Sequence, residues 1–323
     1  MTKHNGMAIA IAWPEFIGKQ PGSWYDTPMR WLGHNKKFQY KVGHASLILV
    51  DVASGNCSYF DCGRYHAPYQ HGRIRDVATD ANLEIHTKAL ISDHKINNID
   101  ALLNEVQSNK SSFGMGPLYA SYCPVNFHLA YTTIKKMQSK GAIPFGPFVI
   151  NGINCCRFVR AGILAGNPAF KYQFRLRYLW PFKPMPITNV AFLSDKIIIP
   201  EIQTNGNPEQ SSIQQQHHSH FLYTKENVKG TLPEPHKPET IPPESQWLSG
   251  EVAGGWFWLQ PNKNDYTIVR YSQEGIPEST GNFKLLGNRN FDAHQPYFFT
   301  YLSHCSKVTL IQNQKRFELI RED

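Results

Sequence analysis

With 323 residues, 41% hydrophobic, 13% aromatic and 18% charged, the chain can bury a substantial core, and its length favours two domains over one. That balance excludes a disordered chain or a coiled coil. The net charge of +8 favours anionic partners, but Lys and Arg read as scattered, with no basic run, so no nucleic acid is expected.

No stretch is long and apolar enough to span a bilayer. The start, MTKHNGMAIAIAWPEF, has a short apolar run. Trp13, Pro14 and Glu15 follow it at once, without the small-residue pattern of a signal-peptide cleavage site. "AIAIAW" (8–13) therefore reads as the first strand, and the protein as cytoplasmic. Residues 37–51, KFQYKVGHASLILVD, give a long strand signal; the turn cluster ASGN follows, and CSYFDCGRY (57–65) gives a second strand, so the two form a hairpin. IDALLNEVQSN (99–109) has helical spacing. NFHLAYTTIKKMQSKG (126–141) is a further helix stopped by Gly141. In NGINCCRFVRAGILAGN, Asn154 suits an N-cap, and Gly166 with Asn167 suits a C-cap, so Cys155 and Cys156 open a third helix.

Residues 1–200 thus read as one mixed α and β domain. Residues 201–246 turn polar and rich in Gln, His and Pro, as in a linker or insertion; His217, His218 and His220 there suit a metal less well than a solvated tract. Residues 247–323 carry short strands and turns, the pattern of a small antiparallel sandwich or barrel.

Six cysteines, at 57, 62, 123, 155, 156 and 305, are too few for a disulfide scaffold of this size, and reduced thiols are expected. Cys155 and Cys156 cannot easily bridge each other, because neighbouring Cα atoms stand closer than disulfide geometry wants. A Cys in the first helical turn has its thiolate stabilised by unpaired N–H groups and the helix dipole. From Cys155, helical spacing leads to Phe158, Val159 and Gly162, a small apolar face that suits a sheet. From Cys156 it leads to Val159, Arg160 and Ile163, a mixed face. Cys155 is therefore the sulfur expected to point inward, with Gly162 allowing close approach.

A nucleophilic Cys needs a base. His44 lies in VGHASLILV, a strand too apolar to hold an imidazole without purpose, although a hydrogen-bonded core His is the commoner case. A two- or four-residue loop at ASGN pairs positions whose numbers sum to an odd value, so His44 shares a face with Tyr59, Asp61 and Gly63. Asp61, in the apolar strand YFDCG, becomes the group that orients the base, with a turn-capping role as the alternative.

The order GHASL strand, next strand with a polar residue, then NCCRFV (154–159) resembles the circularly permuted branch of the NlpC-type papain-like superfamily. The lecithin retinol acyltransferase relatives in that branch carry NCEHFV, and four of six positions match. GRYHAPYQHGRIRD with GPFVINGINCCRFV is similar to uncharacterised bacterial proteins of the same branch, over roughly residues 8–195. The resemblance implies an α+β permuted papain-like domain with an antiparallel sheet and packed helices, followed here by a small all-β domain. It gives Cys155 the nucleophile's position and His44 the base's. Cys156 falls where the family has Glu, and Asp61 where it most often has His.

The activity implied is acyl transfer through a thioester on Cys155, with backbone N–H groups at the helix start as an oxyanion hole. Water as acceptor makes an amidase or peptidase; another acceptor makes an acyltransferase. The substrate is a peptide, an amide or an acyl lipid, and no cofactor or metal is called for. Arg64, Tyr65, His66 and Arg73 are read as a loop that holds an anionic substrate, with an exposed basic loop as the alternative. Trp24 and Tyr25 suit core packing better than a cleft. Cys57, Cys62, His66 and His71 have zinc-like spacing, but Cys57 and Cys62 alternate to opposite faces of one strand. The rival from another class is an inactive papain-like fold that binds peptide or glycan.

Overall fold

A computed structural model describes residues 4–93, 95–181, 185–201, 229–262, 265–287 and 290–322. In chain order the first strands and helices are β1 (Gly6–Trp13), β2 (Ile17–Lys19), α1 (Asp26–Trp31), β3 (Gln39–Lys41), β4 (His44–Asp51), β5 (Cys57–Gly63) and β6 (His71–Arg75). They are followed by β7 (Ile91–Ser92), β8 (Lys95–Ile96), α2 (Ile99–Ser108), β9 (Leu118–Val125), α3 (Phe127–Gln138) and β10 (Ile143–Pro144). Then come α4 (Cys155–Ala165), α5 (Phe170–Tyr178), α6 (Pro186–Ala191) and β11 (Ile197–Ile199). The chain divides into two compact units: Met1–Cys62, Leu83–Lys140 and Gly146–Lys229 make the first, and Gly63–Asn82, Gly141–Phe145 and Gly230–Asp323 the second.

The first unit is α+β. Its strands run antiparallel in the order β5-β4-β1-β9-β11, with β1 at the centre. Every residue of β1 is buried, and its alternation separates two cores. Met7, Ile9, Ile11 and Trp13 join Ile48, Val50 and Tyr59, and the α2 residues Leu102, Leu103 and Val106 cover them. Ala8, Ala10 and Ala12 occupy the other face, where small side chains leave room for helices. There Leu47 meets α4: a Cβ added at Gly162 would stand 2.6 Å from Leu47 Cδ2 and 3.1 Å from Ile134 Cδ1. Only a glycine lets the helix lie so close. The helices fall where spacing and caps place them. Asn126 caps α3 by accepting from Leu129 N, Asn154 caps α4, and Asn167 beyond its end takes φ 49°.

The second unit holds the C-terminal strands β12 (Gln246–Leu248), β13 (Gly255–Asn262), β14 (Asp265–Tyr271), β15 (Pro277–Leu285), β16 (Phe298–His304), β17 (Lys307–Gln312) and β18 (Lys315–Arg321). They form one antiparallel sheet in the order β12-β13-β14-β15-β18-β17-β16. Its two ends meet: the Gln246 amide donates to Tyr297 O at 3.0 Å and accepts from Phe299 N at 3.0 Å. The sheet is thus a near-barrel around Phe257, Ile268, Phe283, Val308, Leu310 and Leu319. The Pro-rich stretch before it is docked on this unit; Leu232 N donates to Gly250 O, and Ile241 packs with Trp256. His217, His218 and His220 lie outside the described residues.

Candidate active site

The β4–β5 register decides where two of the candidate groups stand. Ser46 pairs with Asp61, Leu47 with Phe60 and Val50 with Cys57, sums that are all odd, as the turn parity requires. His44 and Asp61 therefore share a face, and His44 Nε2 lies 3.6 Å from Asp61 Oδ2 with both side chains buried. His44 pairs with Trp13 across β4 and β1, and their rings stack at 5.8 Å and 15°. Phe16 leans on the imidazole at 5.6 Å. Trp13 is itself fixed, since its Nε1 donates to Gln107 Oε1 at 2.7 Å, and Gln107 Nε2 donates to Gly116 O at 2.9 Å. Trp13, Phe16 and Gln107 escaped the sequence reading because their contacts link distant strands, helices and loops and leave no local pattern.

Cys155 is the first residue of α4. Asn154 Oδ1 accepts from Arg157 N at 2.9 Å, and Phe158 N donates to Asn154 O. These bonds leave the N–H groups of Cys155 and Cys156 at the open first turn. The Arg157 guanidinium donates to Pro147, Val149 and Gly152 carbonyls, fastening the loop that leads into the helix. Asn189 of α6, fully buried, donates to Cys156 O at 3.1 Å and fixes the same turn from behind.

The two thiols differ as their settings require. Cys155 is partly exposed and Cys156 is buried. The Cys155 thiol lies against His44, Cys156 and the Ala45 backbone, although the residue as a whole is partly exposed. A hydrogen bond from Cys156 holds the Cys155 thiol well below its ordinary pKa, and the His44 side chain and the Ala45 backbone add to the effect against burial. The same bond, with burial, pushes the Cys156 thiol well above its ordinary value. Burial drives the His44 imidazole down, but the hydrogen bonds to Asp61 and Cys155 outweigh it and raise the group to about 9. Both shifts favour the thiolate–imidazolium form of the pair.

The remaining candidates lie elsewhere. Arg64, Tyr65, His66 and Arg73 belong to the second unit, and the carboxylates that the two Arg forks hold are the chain's own. Arg73 grips Asp80 with both terminal nitrogens, at 2.7 and 2.8 Å, and its Nε donates to Tyr65 O at 2.9 Å. Arg270 adds a bond to Asp80 at 2.9 Å, and Arg64 pairs with Glu251 at 2.5 Å. His66 and Arg73 are buried, so an exposed basic loop is not what this segment forms. Tyr25 is buried as core packing requires, whereas Trp24 is 77% exposed. Cys57 packs with the α2 core and its sulfur donates to Gly55 O. Among the described residues no group of three His, Cys, Asp or Glu side chains is arranged to hold a metal.

A sequence profile described as type VI secretion system effector TseH-like matches residues 8–172, which contain His44, Asp61 and Cys155. A second profile, the DUF6695 C-terminal domain, matches residues 245–322. No curated protein matches. Among solved structures, a crystal structure of the type VI secretion system effector TseH is 17% identical with a TM-score of 0.38; the alignment covers 61% of this chain and 93% of that one.

Proposed function

The chain belongs to the type VI secretion system effector TseH-like family and carries its cysteine hydrolase-like domain, and from that premise we propose that it is a cysteine-dependent acyl-transfer enzyme that cleaves amide or peptide bonds. The observation that carries this reading is the meeting of three groups from separate elements. They are a Cys155 thiol held below its ordinary pKa, a His44 imidazole raised to about 9, and Asp61 3.6 Å behind that imidazole.

In the proposed reaction the Cys155 thiolate adds to the substrate carbonyl. The oxyanion forms at the open first turn of α4, where the Cys155 and Cys156 N–H groups point. The His44 imidazolium gives its proton to the leaving nitrogen, the C–N bond breaks, and a thioester remains on Cys155. Water then attacks with neutral His44 as base, the C–S bond breaks, and the acid leaves as the thiolate–imidazolium pair is restored. Asp61 keeps the imidazole turned and stabilises its charged form. A secreted effector works away from the cytoplasm of its producer, and the proposal places the substrate there. Peptides, simple amides and acyl lipids all present the carbonyl this chemistry needs.

The test is intact-mass spectrometry of the protein with a panel of peptides and acyl amides. Wild type is expected to show a transient acyl adduct on Cys155 and to accumulate product, and Cys155→Ala neither. Equal product from both proteins, or none from either across the panel, defeats the reading in favour of a binding module.

A further inference from the structure

The surplus positive charge is not spread evenly over the chain. Between Glu105 and Asp195 there is no Asp or Glu at all, while ten Lys and Arg residues fall in that stretch. The rest of the chain is slightly acidic, so this segment carries the whole net charge of +8. Helix α5 lies within it, and its sequence, FKYQFRLRY, combines aromatic and basic residues.

The helix turns the wrong residues outward for a core element. Tyr172 and Leu176 are buried on the inner face. Phe170, Phe174 and Tyr178, one turn apart, form an outward ridge, with Phe170 78% and Tyr178 71% exposed. The rings touch along the ridge, at 6.1 Å between Phe170 and Phe174 and 5.4 Å between Phe174 and Tyr178. Leu179 extends it and is also exposed. Exposed Arg177 flanks the ridge on one side and exposed Lys171 on the other. Among the described residues neither makes an ion pair with a carboxylate, and the nearby Arg160 guanidinium, stacked 5.0 Å over Trp180, is lowered by burial and by the charges of Arg177 and Arg157.

We infer that the outer face of α5 docks on the surface of an anionic lipid bilayer, with Phe170, Phe174, Tyr178 and Leu179 entering the headgroup boundary and Lys171 and Arg177 meeting lipid phosphates. An apolar ridge bordered by long-stemmed cations is the pattern of a helix that lies in a membrane interface. Charge complementarity selects this occupant. A second copy of the chain would set Lys171 and Arg177 against their own counterparts, without a carboxylate on the helix to offset them. Single-stranded nucleic acid would find phosphate partners, but it stacks its bases on separated ring faces, and here the rings close on one another into a ridge.

The experiment is flotation of the full chain with vesicles of phosphatidylcholine alone or mixed with phosphatidylglycerol, at low and high salt. Wild type is expected to float with the anionic vesicles at least about tenfold better than with neutral ones, and less well at high salt. Phe170→Ser with Phe174→Ser is expected to abolish flotation. Lys171→Gln with Arg177→Gln is expected to lower it by roughly 25-fold. Thermal unfolding establishes that each variant is folded; if the Phe pair is not, the charge pair, at exposed positions, decides alone. Equal flotation with both vesicle types, or anionic binding untouched by these substitutions, overturns the inference. So does a self-association that the Phe pair dissolves, or displacement of the protein from vesicles by single-stranded oligonucleotide.

Discussion

His44 Nε2 stands 3.6 Å from Asp61 Oδ2 because Ser46, two residues beyond His44 on the same face of β4, pairs with Asp61 across the hairpin. The carboxylate stabilises the imidazolium that the cycle has to form. Asp61→Asn keeps the shape and removes the charge. The His44 imidazole then falls from about 9 toward or below its ordinary 6.5, because burial pulls it down. The group is protonated below its pKa, so the acid needed for the leaving nitrogen disappears as pH rises through that value. The alkaline limb of the rate profile is expected near pH 9 in wild type and to move to lower pH in Asp61→Asn, with turnover reduced by about 10²-fold. A profile of kcat against pH in both proteins checks this, and an unmoved limb would detach Asp61 from the base.

Alkylation isolates the thiolate from the rest of the cycle. At mildly acidic pH iodoacetamide is expected to label Cys155 fast. Burial pushes Cys57 to about 11 and Cys123 to about 12, so these thiols stay protonated and serve as internal controls. In His44→Ala the imidazolium is gone, the Cys155 thiol rises, and labelling at the same pH is expected to slow by at least about tenfold. Above pH 9 wild-type labelling continues while turnover falls, since alkylation needs no proton donor. Peptide mapping by mass spectrometry reads the labelling at each cysteine, and a parallel product assay reads the turnover.

The sequence carried much of this site, for identifiable reasons. Asn154 announced the start of α4, the ASGN turn fixed the parity of the hairpin, and parity placed Asp61 with His44. Each is a short-range rule of backbone geometry. The meeting of α4 with β4 was less legible. Gly162 packs on Leu47, an odd position, whereas His44 is even and pairs with Trp13, so helix body and imidazole belong to different faces of the strand. Cys155 meets His44 and the Ala45 backbone at the beginning of β4, not across a face. Periodicity assigns faces within an element and does not say where one element's end meets another's. Arg64 failed to show its partner for the same reason, since Glu251 lies 187 residues away, and so did Arg270, the second cation on Asp80, 190 residues from it; Asp80 itself is seven residues from Arg73, but the stretch between them has no periodicity to pair them.

The Gly162 contact makes a stability prediction with two opposing parts. Alanine favours the helix over glycine by about 1 kcal/mol. Its Cβ, however, would meet buried Leu47 at 2.6 Å and Ile134 at 3.1 Å, an overpacking that costs about 1–3 kcal/mol. Gly162→Ala is therefore expected to be destabilised on balance, and the clash is relieved either by Leu47 and Ile134 changing rotamer or by α4 lifting from the sheet. Lifting carries Cys155 away from His44. Urea unfolding should show the lost stability in either case, and acid-pH alkylation of Cys155 should slow in the folded variant where the helix lifts. Unchanged labelling would mean that the two side chains have given way and the helix has not moved.

In the second unit, Asp80 is buried between two guanidiniums. Burial alone would raise its carboxyl, but the charges of Arg73 and Arg270 hold it well below the ordinary range. Arg270 also pairs with Glu278 at 2.9 Å, whereas Arg73 has both terminal nitrogens on Asp80. Asp80→Asn therefore leaves the Arg73 charge buried without its counter-ion, a change that costs about 3–5 kcal/mol. Because Asn keeps the shape, the loss is electrostatic, and a depressed carboxyl stabilises the fold above its unfolded pKa and ceases to do so as pH falls through its folded value. The urea midpoint of Asp80→Asn is expected well below that of wild type at neutral pH, with the gap closing at strongly acidic pH as wild-type Asp80 is protonated. A gap that persists unchanged in acid would show that packing, not charge, is what Asp80 supplies.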